Sequence, residues 1–235
     1  MSEQQGRGDL TSAADRDWVE LAATILMSIA AILTAWAGFQ SAKWSGVQAN
    51  NFSVAGANRI ESSQESLLAN EQRSLDITVF LTWLRQAQLD VDVGVIPNPR
   101  DVGRYEPTDG SLSGFLYVRL PPRFLPAVEA WLATDPFVDE DSPASPLQMS
   151  EYQNPARAKA HEFKAAAESA AEVARTANQN SDNYVTTTIV SALVLFFAAL
   201  GSKLKYRRNQ LVALSIGVVL ILATVGAVLT LPIEV

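Results

Sequence analysis

The feature that most constrains the fold is a run from Asp17 to Asp90 that contains no proline. It begins with an apolar stretch, Trp18 to Phe39, in which Glu20 at the very start is the only charged residue. A helix of about 20 apolar residues matches the thickness of a bilayer. The run then becomes polar without a clear helix stop. The pattern therefore predicts a transmembrane helix over 17–39 that continues into water as a polar helix.

Two further apolar stretches predict a second span over 184–202 and a third over 210–231. The loop between them, 203–209, contains four basic residues and no acidic one, namely Lys203, Lys205, Arg207 and Arg208. Short basic loops lie on the cytoplasmic side of membranes. We therefore expect a multi-pass protein of the inner (plasma) membrane with a cytoplasmic, disordered segment over 1–16. Residues 40–183 and the tail 232–235 would face outward, and the four basic side chains could bind anionic lipid head groups.

Small residues recur every four positions along the first helix and across the end of the apolar stretch. They are Ala30, Thr34, Gly38, Ala42 and Gly46. Small side chains at helical spacing allow another backbone to come close. We interpret this ridge as a packing surface, either for the second span or for the same ridge of another copy. On the polar helix beyond it, sparse apolar residues predict the face that packs, namely Val47, Val54, Ile60, Leu68, Leu75, Val79 and Trp83.

A second long helix is predicted to start at Pro155, with Asn154 as its cap. Mostly small residues then follow at alternating steps of three and four, namely Ala160, Phe163, Ala167, Ala170, Ala174, Ala177, Ser181 and Tyr184. This spacing is typical of a coiled-coil seam. Four alanines, Ala167, Ala170, Ala174 and Ala177, are the predicted packing residues. The expected partner is the outgoing helix, which gives a long antiparallel extramembrane hairpin.

The segment 91–150 has a different character, because it holds nine of the eleven prolines. Alternating residues predict short strands over Val91–Val95 and Phe115–Leu120, with a turn at Asp109–Gly110. A short amphipathic helix is predicted over 126–133. The acidic run at 139–141 lacks the spaced ligands and the glycine of a calcium loop, and we interpret it as a solvated turn. The hairpin would thus end in a small irregular tip.

Composition excludes several classes of function. The formal net charge of −7 disfavours nucleic-acid binding, which needs a basic surface. The absence of cysteine excludes disulfides and thiolate chemistry. The one histidine, His161, is adjacent to Glu162. Adjacent side chains on a helix point in different directions, so these two do not face each other. We expect no catalytic residues, no metal and no cofactor.

Two stretches carry a resemblance to a known group of proteins. Leu33-Thr34-Ala35-Trp36-Ala37-Gly38-Phe39-Gln40 leads into Lys43-Trp44-Ser45-Gly46 and Gln48-Ala49, and Ser181-Asp182-Asn183-Tyr184-Val185 leads into the second span. With the ending Leu231-Pro232, they resemble an uncharacterised family of bacterial three-span membrane proteins. The resemblance implies the same topology and supplies no catalytic residues.

These observations predict an all-α membrane protein with three transmembrane helices and an antiparallel extramembrane hairpin. The expected function is a membrane-anchored structural or protein-interaction module. Its partners would be the lipid bilayer and either other copies of the chain or another membrane protein. The alternative is a subunit of an oligomeric channel or transporter, with serine and threonine hydroxyls of the spans lining a pore.

Overall fold

The computed structural model describes the backbone of residues 2–102 and 105–235 and the side chains of 18–102 and 105–235. All the long elements in these ranges are helices: α1 (Ser2–Asp92), α2 (Pro99–Val102), α3 (Leu112–Tyr117), α4 (Leu125–Leu132), α5 (Pro155–Lys203) and α6 (Arg207–Thr230), with one 3-10 turn at Pro146–Gln148. The predicted all-α class is confirmed. The predicted disordered segment 1–16 lies outside the described side chains and stays a prediction.

Among the described residues, three helical segments are long and apolar enough to cross a membrane. They are Trp18–Asp92, Pro155–Lys203 and Arg207–Thr230. Their number agrees with the predicted multi-pass membrane protein. The start of α5 is also as predicted, because the Asn154 side chain accepts a hydrogen bond from the Arg157 N–H at 3.0 Å.

The chain divides into two compact units, and unit 1 comprises residues 1–55 and 168–235. Its apolar core is built from α1, α5 and α6: Val19, Ala23, Leu26, Ala30, Val194, Ala198, Leu214 and Ile221. Close packing is visible at Gly201, where a Cβ atom would lie 3.1 Å from Leu214 Cγ. Alanine and glycine at these contacts let the three helices approach one another closely.

Hydroxyl groups in the spans of unit 1 donate to their own helix. Thr34, Thr187 and Ser191 each donate to the carbonyl four residues earlier, at 2.8–3.0 Å. Thr224 does the same in α6. These donors are therefore satisfied inside the helix, as apolar surroundings require.

Unit 2 comprises residues 56–167, and its core is mainly aromatic. The fully or nearly buried rings are Phe80, Trp83, Tyr105, Phe124 and Trp131. The Trp83 and Tyr105 ring centroids lie 5.0 Å apart in an edge-to-face arrangement, and those of Phe80 and Trp131 lie 5.2 Å apart. Helix α4 places Ala127, Val128 and Trp131 in this core, which confirms the predicted amphipathic helix.

The two predicted strands are wrong. Val91 belongs to the last turn of α1, and Phe115 lies in the middle of α3. The reason at the second site is a helix cap, because the Ser111 hydroxyl accepts a hydrogen bond from the Gly114 N–H at 2.9 Å. The turn at 109–110 is confirmed, and Gly110 has a φ of +81°, which favours glycine.

Replacing Gly114 with Ala is expected to destabilise unit 2 by about 1–3 kcal/mol, the usual cost of overpacking. A Cβ atom at Gly114 would lie 2.5 Å from the Thr108 carbonyl oxygen and 2.8 Å from Ser111 Oγ, so the cap would have to shift. Amide hydrogen exchange of α3 and α4 in the full-length protein would measure the loss. The matched control is Gly56→Ala, where a Cβ atom meets nothing within 4 Å and where alanine should slightly stabilise the helix.

Candidate functional sites in the two units

The small-residue ridge of α1 does not form one buried face. Ala30 is fully buried and Thr34 is half-buried, whereas Gly38, Ala42 and Gly46 are exposed. A Cβ atom at Gly38 would meet nothing within 4 Å, so the predicted close approach of the second span to Gly38 is wrong. The physical reason is that steps of four advance about 40° further than one turn, so the five positions wrap around the helix.

Between Val19 and Gln40, the buried positions of α1 instead alternate between steps of three and four. They are Val19, Ala23, Leu26, Ala30, Ala37 and Gln40, with Leu33 half-buried between Ala30 and Ala37. On α5, the predicted Ala167, Ala174 and Ala177 are buried, and Ala170 is only half-buried. Ala171, which the sequence analysis did not select, is 2% exposed. The seam therefore passes through residue 171 at this turn.

A cluster of neutral polar side chains joins α1 to α5 within unit 1. The Ser181 hydroxyl lies 3.0 Å from the hydroxyls of both Ser41 and Ser45, and it also contacts the Ser41 carbonyl oxygen at 3.1 Å. One turn further along, the Gln48 side-chain amide donates to the Asn178 side chain at 2.8 Å. These hydrogen bonds of Ser181 involve no carboxylate and no imidazole, so they give it no general base. The cluster fixes the register of the two helices.

The segment after α6 is held by side chains of the other two helices of unit 1. Gln40, which is 1% exposed, donates to the Glu234 carbonyl at 3.2 Å and accepts from the Glu234 N–H at 3.0 Å. The Pro232 carbonyl accepts from the Trp44 indole and the Tyr184 hydroxyl, both at 3.1 Å. The side-chain amide of Gln40 thus donates one hydrogen bond to the Glu234 main chain and accepts one from it, as a neighbouring β-strand would.

Most residues of this polar cluster come from the stretches that carry the family resemblance. Gln40, Trp44 and Tyr184 meet at the tail, although they are up to 144 positions apart in the sequence, and Ser45 meets Ser181. These contacts between distant motifs leave no local pattern in the sequence. A glutamine at the end of an apolar span was the available signal, because a buried amide needs polar partners.

Unit 2 contains one buried carboxylate with a cationic partner. Asp76, whose side chain is 1% exposed, forms an ion pair with Arg123 at 2.6 Å and accepts from the Tyr152 hydroxyl at 3.1 Å. Burial raises the pKa of Asp76 above its ordinary value, and the neighbouring Arg123 and Tyr152 only partly oppose this rise. Burial likewise raises the pKa of Tyr152, and the Asp76 charge raises it further. The network joins α1 to the residues on either side of α4.

The pKa of Asp90 is lowered, whereas that of Asp76 is raised. It is 5% exposed, and burial alone would raise its pKa. Its carboxylate accepts from the Ser113 N–H at 2.8 Å and from the Gln86 amide at 2.8 Å. These hydrogen bonds outweigh burial and hold the pKa of Asp90 below its usual range. The stabilisation from the ionised carboxylate is therefore present above the ordinary pKa and is lost as the pH falls through the lowered one.

The predicted packing face of α1 is right at Trp83, which is fully buried, and wrong nearer the start of unit 2, where the large apolar residues lie on the surface. Ile60 is 60% exposed, Leu67 69%, Leu68 44% and Leu75 53%. We call these four residues the outer stripe. The side of α1 that packs in unit 2 carries small and polar residues, such as Ala69 and Ser62, whose hydroxyl donates to the Ala160 carbonyl at 2.9 Å. A small-residue face permits a close helix contact without large apolar side chains.

The remaining sequence-based candidates lie on the surface. Lys203, Lys205, Arg207 and Arg208 are exposed at the junction of α5 and α6, and His161 is exposed beside Arg157 and Lys164 in a groove of about 260 Å³. Within the described residues no group of three histidine, aspartate or glutamate side chains could hold a metal ion.

Comparison with family models found no match, and neither curated proteins nor solved structures match this chain. The family resemblance therefore remains a likeness of motifs and span number. The conclusions on function rest on the geometry of the two units.

Proposed function

We propose that this chain is a membrane-anchored protein-interaction module that self-associates through the outer stripe of unit 2. The observation that carries the proposal is the exposure of Ile60, Leu67, Leu68 and Leu75, which follow the apolar stretch Trp18–Phe39 in the sequence. Fully burying one such side chain contributes roughly 1.5–3 kcal/mol. A second copy can cover the stripe with its own, since a two-fold interface uses the same patch on both chains. The proposal assigns no catalytic residue.

The orientation we propose follows from the basic residues at 203–208. Positive residues in a short loop favour the cytoplasmic side. Residues 40–183 then lie outside as a helical hairpin, and the tail 232–235 lies on the same side as that hairpin. The four basic residues would contact anionic head groups of the inner leaflet.

Cysteine labelling tests the orientation without background, because the chain has no cysteine. Glu140→Cys and Lys205→Cys are both at exposed positions. In intact cells with a permeabilised outer envelope, an impermeant maleimide should label the first variant and not the second. Labelling of the second variant alone would show that the chain has the opposite orientation.

The mass of the purified full-length protein in detergent tests the self-association. Light scattering should give a dimer or larger oligomer for the wild type. Leu67→Glu with Leu75→Glu should give a monomer, because it brings two further carboxylates per copy next to Glu71, which lies between these leucines on the same helix face, and buried carboxylates need partners for their charge. A monomeric wild type, or an oligomer that persists in the double variant, would refute the stripe as the interface.

Ser66→Glu with Arg73→Gln is the matched control. It lowers the net charge by the same two units at exposed positions of α1 that lie at least about 100° around the helix from the stripe residues, and it should leave the oligomer intact. The channel alternative would instead require a closed ring of protomers and ion flux in liposomes. The span hydroxyls give it little support, since those described above donate to their own helix carbonyls.

A further inference from the structure

Unit 2 contains an apolar groove that neither its core nor the outer stripe explains. The groove has a volume of about 530 Å³, which is in the range of small-molecule sites. Its wall on α1 includes Leu81, Leu84 and Leu89, and Phe137 forms part of the opposite side. The Phe137 ring is anchored on the core, with its centroid 5.9 Å from that of Trp131. We call this feature the distal groove.

Two cations line the distal groove without a counter-ion. Arg85 and Arg100 are both exposed lining residues. Within the described residues neither guanidinium has a carboxylate within ion-pair distance, and no aspartate or glutamate lines the groove. Asp139 and Glu140 line a neighbouring groove that shares Arg100. In a chain of net charge −7, two unpaired arginines beside apolar side chains favour a ligand that is apolar and anionic.

The side chains of Gln88 and Asn98, the neutral polar residues of the groove, each already make one hydrogen bond. The Gln88 amide donates to Asp92 at 2.8 Å, and the Asn98 side-chain oxygen accepts from the Arg100 N–H at 3.1 Å. The groove wall on α1 is a helix, whose backbone groups are paired internally. A bound peptide would find few partners for its own N–H and C=O groups, which need them when buried. A hydrocarbon chain needs none.

We infer that the distal groove binds a single-chain amphiphile with a carboxylate head, the chemistry of a medium- or long-chain fatty acid. The apolar chain would lie against Leu81, Leu84 and Phe137. The carboxylate would accept charge-assisted hydrogen bonds from Arg85 and Arg100, which are stronger than neutral ones. This inference is independent of self-association, because it uses other residues and another ligand.

Binding of dodecanoate to the full-length protein in lipid nanodiscs tests the inference, with empty nanodiscs as the blank. Displacement of a dansyl-labelled undecanoate gives the affinity. Dodecanoate should bind at least about tenfold more tightly than dodecanol, a difference that one charge-assisted hydrogen bond supplies. Arg85→Gln with Arg100→Gln should remove this preference. Arg119→Gln, which changes a cation of unit 2 outside the groove, should keep it.

A second measurement does not depend on any variant. From octanoate to dodecanoate, affinity should rise with each added methylene, by up to about fourfold where the methylene is fully buried. Equal binding of dodecanol and dodecanoate, unchanged preference in the double arginine variant, or no dependence on chain length would each overturn the inference.

Discussion

Replacing Trp83 with Ala is expected to lower the opening free energy of unit 2 by about 3–5 kcal/mol, the usual cost of removing a buried tryptophan. Trp83 is fully buried, and it contacts three aromatic rings: Phe80 and Tyr117 at centroid distances of 5.8 Å and Tyr105 at 5.0 Å. Loss of the indole leaves a cavity between side chains that come from α1, α3 and the loop before it. Such a site cannot collapse easily, because its walls are attached to separate elements.

Amide hydrogen exchange of α4 in the full-length protein measures this effect, since the protection of core helices reports the opening free energy. Exchange in the Trp83→Ala variant should be at least about a hundredfold faster. Trp83→Phe is the matched control. It keeps an aromatic ring and removes an indole N–H that has no partner among the described residues, so it should cost much less. Equal exchange in all three proteins would contradict the central role of Trp83 in this core.

The sequence predicted the elements whose signals are local. An apolar run of bilayer length specifies a span, so three spans could be found. Asn154 before Pro155 specifies a helix start, and the cap hydrogen bond is present. The failures at 91–95 and 115–120 are also local in origin. Alternation over five or six residues is a weak strand signal. At the second site, the Ser111 cap stabilises a helix instead.

The packing face of α1 between residues 60 and 76 could not be predicted from hydrophobicity, because the large apolar residues there are exposed. Leu67 and Leu75 are exposed, whereas Ala69 and Asp76 are buried. Two facts make this arrangement stable: small side chains allow close helix contact, and Asp76 has partners for its charge. Those partners, Arg123 and Tyr152, lie 47 and 76 positions away in the sequence. A contact over such a separation leaves no local pattern.

Replacing Asp76 with Ala is expected to destabilise unit 2 by about 2–4 kcal/mol. This is a reduction from the usual cost of removing one partner of a buried ion pair. The substitution removes the acceptor of both Arg123 and Tyr152. The reduction applies because the Arg123 side chain is 32% exposed and can be partly rehydrated, and because it also contacts the Gln72 carbonyl at 3.3 Å. Amide exchange of α4 again measures the loss, and Glu140→Ala at an exposed position should have no effect.

The double variant Asp76→Leu with Arg123→Met removes both charges. It therefore separates the cost of losing the ion pair from the cost of leaving the Arg123 charge without a partner. Since an apolar pair of similar volume can replace a buried ion pair at little cost, this variant should recover most of the stability lost in Asp76→Ala. A double variant no more stable than the single one would show that the ion pair itself stabilises unit 2.

The stability of the wild type relative to this double variant should decrease as the pH rises. The pKa of Asp76 is raised in the folded protein, mainly by burial, so the folded state holds this proton to higher pH than the unfolded state does. The contribution of Asp76 is therefore fully present below its ordinary pKa and is lost as the pH rises through the raised one. Measured against the double variant, which cannot titrate at these positions, the wild type should lose relative stability as the pH rises above the ordinary pKa of an aspartate. A relative gain over that range would mean that the attraction of Arg123 exceeds the cost of burying the carboxylate, and that the pKa of Asp76 is lowered.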